Sequence, residues 1–445
     1  MRNFKKVLVV LSPILICGAA PPKLSRYILE SGQAYANLKE LTDKGSRLSG
    51  SPGAAQAVEW ARKKFNSYGF DKVTLQEVLV PHWERGSKEE ARITSGSSGK
   101  LHIAALGNSI GTDAKGIEAE VIEVSGLDDA EAKAEILKGK IVFFNGFMDP
   151  TAMDSFEAYG KAVPQRVGGA SVAAKFGAVA VLVRSMTMNH DEFPHTGVMK
   201  YEDKIQKIPA AAIATADADR LSQLLKTKKI KINLVLSAKL LEPVKSFNVI
   251  GELTGSEFPN EIIVVGGHLD SWDLGAGAQD DGAGVVQSIE VIRAIKALNL
   301  KPKRTIRTVL FMAEEFGGFG GAEYGKQAAL TKEKYIAAFE SDRGGYSPRG
   351  FETNANEKVL RKLEAWKEDL APLHADFIKK GGGGTDIEPL GVLGAVQFGL
   401  YPDSARYFDV HHSKKDSLEA VNARELHLGA AAMAVLVYLI SDEGL

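Results

Sequence analysis

At 445 residues the chain is longer than one hydrophobic core ordinarily organises, so two or more folded units are expected. Its 55 basic and 56 acidic residues leave a net charge of -1, which gives no support to a nucleic-acid or membrane-surface role. A hydrophobic fraction of 44% and a charged fraction of 25% are those of a soluble globular protein.

The N-terminus departs from this average. Arg2, Lys5 and Lys6 precede an apolar run over 7–16, and Gly18, Ala19 and Ala20 follow it. Positive residues, a short apolar stretch and a small-residue exit make a signal peptide over 1–20, cleaved near Ala19 or Ala20. The alternative is an N-terminal anchor or buried helix, for which the run is short. The protein is therefore expected to be exported, either periplasmic or secreted, with no transmembrane domain in the mature chain. Cys17 is the only cysteine, and bulky Ile16 before it speaks against lipoprotein anchoring. A mature chain without cysteine has no disulfides and no thiol catalysis, and any metal must be held by His, Asp or Glu.

Ser51 followed by Pro52 reads as a helix cap and first helical position, and Ala57, Val58, Ala61, Phe65 and Tyr68 follow at helical spacing up to Gly69. Residues 73–80 alternate as a strand. From about 118 the texture changes to short strands at 118–124, 141–144, 178–183 and 208–213, with helical stretches at 171–176 and 217–225. This unit, bounded at 118–240, carries no dense cluster of His and acids and reads as an α/β domain inserted between an N-terminal part at 21–117 and a catalytic part at 241–445. Beyond 247 come an apolar strand at 262–265, a helix at 285–298 and strands at 305–312 and 335–339. Strands alternating with helices imply an α/β fold with a mostly parallel, mixed sheet flanked by helices.

Three strand ends carry the candidate chemistry. The first exits through Gly266 and Gly267 into His268, Leu269 and Asp270; the second ends in Glu314 and Glu315; the third ends in Glu340, Ser341 and Asp342. Sites in open α/β sheets form just outside the carboxyl ends of the strands, so three such ends point to one shared site. Between the first two lies Gly277-Ala278-Gln279-Asp280-Asp281-Gly282, where either aspartate also suits the cap of the following helix. Asp270 is placed to receive the second ring N–H of His268. Adjacent Glu314 and Glu315 diverge after a strand, so that one can bind a metal while the other works as a base. Near the C-terminus, His411 and His412 stand together, with Asp416 four residues on.

Together these segments, with Tyr407-Phe408-Asp409-Val410-His411-His412-Ser413 and Gly383-Gly384-Thr385-Asp386-Ile387, resemble the M28 family of zinc peptidases, in its carboxypeptidase Q-like branch. The insert is similar to a protease-associated domain. The resemblance implies two zinc ions per chain: His268 and Asp342 on one, Glu315 and His412 on the other, Asp280 bridging them. It further implies that Asp270 orients His268 and that Glu314 is general base, then general acid. Gly384, Thr385, Asp386 and His411 are expected to contact substrate, and His412 is chosen over His411 for the acid four residues on. The implied activity is hydrolysis of dipeptides or short peptides with a free N-terminus; the alternatives are a broad aminopeptidase, a one-metal cyclase and a non-catalytic binding protein. A homodimer is also consistent with the resemblance.

Overall fold

The computed structural model describes residues 20–445 except residue 97. The expected signal peptide thus lies outside the described residues, save Ala20, which opens the helix Ala20–Ser31. Cys17 lies outside them as well.

The apolar runs read from sequence form the middle of an eight-stranded sheet. Its spatial order is Lys72–Glu84, Lys239–Leu253, Arg304–Phe311, Phe258–His268, Lys334–Glu340, Val396–Pro402, Pro348–Thr353 and Phe377–Lys380. The four central strands are mutually parallel, and antiparallel neighbours flank them on both sides. Central strands are covered on both faces, which is why they read as unbroken apolar runs rather than alternating ones. Ile263 and Val265 join one core with the helices Ala283–Ala297 and Ala423–Glu443; Ile262 and Val264 point the other way, onto Tyr324, Ala328 and Leu390. Ala423–Glu443 is long and apolar enough to cross a membrane, but most of it is buried in this core. The predicted N-terminal helix is Pro52–Ser67, with the Ser51 hydroxyl accepting from the Ala54 N–H at 3.2 Å.

A second eight-stranded sheet forms the other unit, in the order Gly99–Leu101, Glu89–Ser95, Lys231–Leu236, Ile117–Val124, Ile141–Phe144, Ala180–Arg184, Ala210–Ile213 and Ile103–Ala105. It therefore begins at Glu89 and not at the expected 118. The early strands carry Glu89, Glu90 and Arg92, and only Ala91 and Ile93 of Glu89–Ser95 are buried, so their apolar signal is faint. The helix seen in part at 171–176 runs over Pro164–Lys175. The segment after the Ala180–Arg184 strand crosses to the first unit: the Thr196 N–H donates to the His412 carbonyl at 3.0 Å, and a His195 ring nitrogen lies 2.6 Å from the His411 carbonyl.

Candidate metal centre

The parallel strands deliver their terminal residues to one edge. His268 is the last residue of Phe258–His268, and Asp342 follows Lys334–Glu340 by two. After Arg304–Phe311 the chain turns through Ala313, held at φ 67, and Glu314 and Glu315 then diverge. Glu315 lies against His412, and both glutamates line the cavity beside the centre.

Asp280 sits between the two histidines. Its Oδ1 lies 3.1 Å from His268 Nε2, and its Oδ2 lies 3.1 Å from His412 Nε2. Asp342 Oδ1 is 3.4 Å from the same nitrogen of His268, and Glu315 Oε2 is 3.0 Å from the same nitrogen of His412. Two donors about 2.1 Å from one tetrahedral ion lie about 3.4 Å apart, so each pair has the spacing of ligands around a single cation. Asp280 Oδ2, Asp342 Oδ1 and Glu315 Oε1 are buried and accept no hydrogen bond among the described residues. Buried carboxylate oxygens without donors call for positive charge. The five donors expected from sequence are thus brought together, His268 with Asp342 on one side of Asp280 and Glu315 with His412 on the other, and they fit two divalent ions. Burial, reinforced by the neighbouring carboxylates, pushes the Glu314 carboxyl well above its ordinary range. Burial, with Asp280 beside it, also raises Glu315.

His411 and His412 stack at 3.5 Å between ring centroids, and His411 Nε2 also approaches Asp280, at 3.5 Å. Their outer nitrogens differ. His412 Nδ1 faces the Thr196 carbonyl at 3.2 Å, whereas His411 Nδ1 is buried without a partner among the described residues. A ligating imidazole ordinarily gives its second N–H to such an acceptor, which favours His412. The acid four residues on, which selected His412 from sequence, acts elsewhere: Asp416 accepts from the Gln279 and Asp280 N–H groups at 2.7 and 3.1 Å and fixes the bridging aspartate.

The tandem aspartates separate their roles. Asp281 is occupied by main-chain donors, accepting from the His268 N–H at 2.9 Å and from the Gly284 N–H at 3.0 Å in the first turn of the helix, although its carboxylate stays within 4.8 Å of donor atoms of His268 and Asp342; Asp280 lies between the two histidines. The glycines around it serve chain packing more than ligand approach: a Cβ on Gly284 would lie 1.8 Å from the Ser341 carbonyl oxygen.

The expected contact of Asp386 with substrate is corrected by its burial. Asp270 stays beside His268, with its Oδ1 3.7 Å from Nδ1. Its main-chain carbonyl faces His268 Nδ1 at 3.1 Å, and its Oδ1 accepts from the Ala313 and Glu314 N–H groups at 2.8 and 3.1 Å. Asp270 thereby positions the segment carrying Glu314. Asp386 is fully buried, with Oδ1 accepting from the Gly321 N–H at 3.2 Å, and it lines neither cavity beside the centre. Gly384 and Thr385 do line a cavity of about 430 Å³ that includes Asp342; His411 lines a second, of about 240 Å³, with Glu314.

Sequence reasoning missed Arg47. It is fully buried and donates to the carbonyls of Leu269, Ala276 and Gly277, tying together both ends of the loop between His268 and Asp280. Arg47→Met leaves these carbonyls without their donor. It should cost about 3 kcal/mol and lower the melting temperature by about 5 °C or more. An unchanged thermal transition would contradict this role.

Several known proteins resemble the chain. Residues 248–437 match the model of peptidase family M28. Carboxypeptidase Q of Homo sapiens is 38% identical over 94% of this chain and 87% of its own length; that of Mus musculus is 36% identical over 99% and 92%. A peptidase M28 precursor from Shewanella amazonensis superposes with a TM-score of 0.92 at 36% identity, over 96% of both chains. An aminopeptidase from Aneurinibacillus shares the fold at a TM-score of 0.65 and 22% identity, over 95% of this chain and 96% of its own. Identity of this level over nearly the whole length, with the donor set in place, settles the relationship: the chain belongs to peptidase family M28 and is a metallopeptidase.

Proposed function

We propose that the protein is a two-zinc exopeptidase that hydrolyses dipeptides or short peptides with a free N-terminus. The observation that carries this reading is the division of one carboxylate, Asp280, between His268 and His412 at 3.1 Å each. Imidazole donors favour zinc over magnesium or calcium. Bound by these residues, zinc supplies Lewis acidity, polarising the scissile carbonyl and making water acidic enough to ionise near neutral pH.

The chain's own groups do the rest. Glu314, half-buried on the cavity wall and held through its main chain by Asp270, takes the proton of the attacking water on its carboxylate and delivers it to the leaving amine nitrogen. The buried surroundings keep bulk water from competing for that proton. His411, beside Glu314 in the same cavity, and Gly384 and Thr385, in the neighbouring one, contact the substrate in this proposal, which their lining of these cavities supports. Export is part of the proposal, carried by Arg2, Lys5 and Lys6 ahead of the apolar run at 7–16.

The test is direct. The zinc-loaded protein should hydrolyse unblocked dipeptides of Ala or Leu, lose at least about 99% of that activity on exhaustive chelation, and regain it with zinc. Blocking the substrate's N-terminus should remove turnover. Chelator-resistant hydrolysis, or none with any unblocked dipeptide, would defeat the reading.

A further inference from the structure

The glycine run at 381–384 borders the cavity of about 430 Å³, which shares Asp342 and Phe156 with the one that Glu314 lines. Phe156 comes from the helix Ser155–Ala162 of the second unit. A peptide with its scissile bond at the metal centre therefore has one side chain directed to this cavity. Of the side chains that line it, only Phe156 and Leu400 are apolar. The glycines leave room for two of its acids: a Cβ on Gly384 would collide with Glu340 Cδ, and one on Gly381 with Glu352 Oε1.

Two of the polar groups are incomplete. Arg343 gives its Nη2 to Glu352 Oε2 at 2.5 Å, but its Nη1 is buried with no partner among the described residues. The guanidinium lies 4.6 Å over the ring of Phe156 and 5.5 Å over that of Tyr401, so it is held in place without a second bond. Glu340 is 1% exposed. Its Oε2 accepts from the Ile387 N–H at 3.0 Å, and its Oε1 is buried with no partner among the described residues. Buried polar groups are ordinarily hydrogen-bonded, so both call for a partner from the cavity. One lacks an acceptor and the other a donor. A side-chain carboxamide carries both: its oxygen accepts from Arg343 Nη1, and its NH2 group donates to Glu340 Oε1. A hydrocarbon side chain of the same length satisfies neither. A carboxylate satisfies the arginine alone and sets oxygen against oxygen at Glu340, while the charge of Arg343 is already met by Glu352.

We infer that this cavity binds a substrate side chain ending in a carboxamide, and that Arg343 and Glu340 select it. This rests on the exopeptidase reading above. The side chains of Gln, Glu and Met are close in length, so the zinc-loaded full-length protein is tested on Gln-Ala, Glu-Ala and Met-Ala. The reversed peptides Ala-Gln, Ala-Glu and Ala-Met show on which side of the scissile bond the cavity lies. In one of the two series kcat/KM should favour Gln over both Met and Glu by about 10- to 100-fold. Arg343→Met should bring the ratio of Gln to Met close to one. Glu340→Gln keeps an oxygen for the Ile387 N–H but offers a donor to the cavity, so it should raise Glu relative to Gln by about 10-fold or more. Both variants should retain two zinc ions. A wild type without preference for Gln in either series, ratios unchanged in both variants, or equal losses on all six peptides accompanied by zinc loss would each overturn the inference while leaving the exopeptidase reading intact. Failure of the wild type to cleave any of the six, and Ala-Ala as well, would sink the exopeptidase reading itself, and this inference with it.

Discussion

Glu314→Gln should keep both metal ions and the thermal transition of the parent while kcat falls by about 10²- to 10⁴-fold, the usual range for losing a general base. The reason is positional. Glu314 and the donor Glu315 both line the cavity beside the centre, but Glu315 Oε2 is 3.0 Å from His412 Nε2, whereas Glu314 makes no such pair among the described residues. Its backbone is fixed independently of its side chain, through the bonds from the Ala313 and Glu314 N–H groups to Asp270 Oδ1. Glutamine preserves that backbone and the side-chain volume and removes only the basic oxygen. KM for an unblocked dipeptide should therefore change little. Steady-state kinetics with metal analysis on the same preparation checks this. Full activity in the variant would mean that another group moves the proton, and loss of zinc would mean that Glu314 is a ligand.

The second large effect belongs to the shared carboxylate. Asp280→Ala removes a carboxylate that lies 3.1 Å from each of the two histidines, so it should lower affinity for both ions together. The loss should exceed the about 10- to 100-fold typical of removing an outer-shell partner, and hydrolysis should fall to background. Asp342→Ala and Glu315→Ala each touch only one side, and each should weaken one ion more than the other. Equilibrium dialysis against zinc separates the cases. An Asp280→Ala protein that still holds two ions at parental affinity would show that the carboxylate is not shared.

The centre was legible in sequence because its parts lie at strand ends. A parallel strand buried on both faces writes itself as an apolar run, and the polar residue that ends the run is therefore conspicuous: His268, Glu314 and Glu315, and Asp342 all announce themselves this way. The bridging loop was legible as small residues around Asp280-Asp281, but which aspartate caps and which faces the ions depends on the turn after Gly277, which local pattern does not encode. The same limit explains Asp270. Alternation along a strand puts 268 and 270 on one face, but the chain leaves the strand at His268, and the Asp270 carbonyl comes to the ring nitrogen at 3.1 Å, nearer than the carboxylate at 3.7 Å.

The supporting contacts were not legible, because their partners are remote in sequence. Arg47 meets carbonyls more than 220 positions away, and Thr196 reaches His412 from the other unit, 216 positions away. Nothing in the composition near Arg47 or Thr196 marks them. The second unit was recognised by its buried strands, and its start was missed because Glu89–Ser95 is half-exposed and charged. The helix Ala423–Glu443 was missed for the opposite reason. It is buried almost all round and shows no polar face against which a stripe could be read.

All of this chemistry depends on two cations sharing Asp280. Crystals of the zinc-loaded protein, measured at the zinc absorption edge, address this most directly. The expected result is two anomalous peaks, one within about 2.0–2.2 Å of His268 and Asp342 donor atoms, the other equally close to those of Glu315 and His412, with one oxygen of Asp280 on each. A single peak, or a second peak held by His411 away from Glu315, would contradict it.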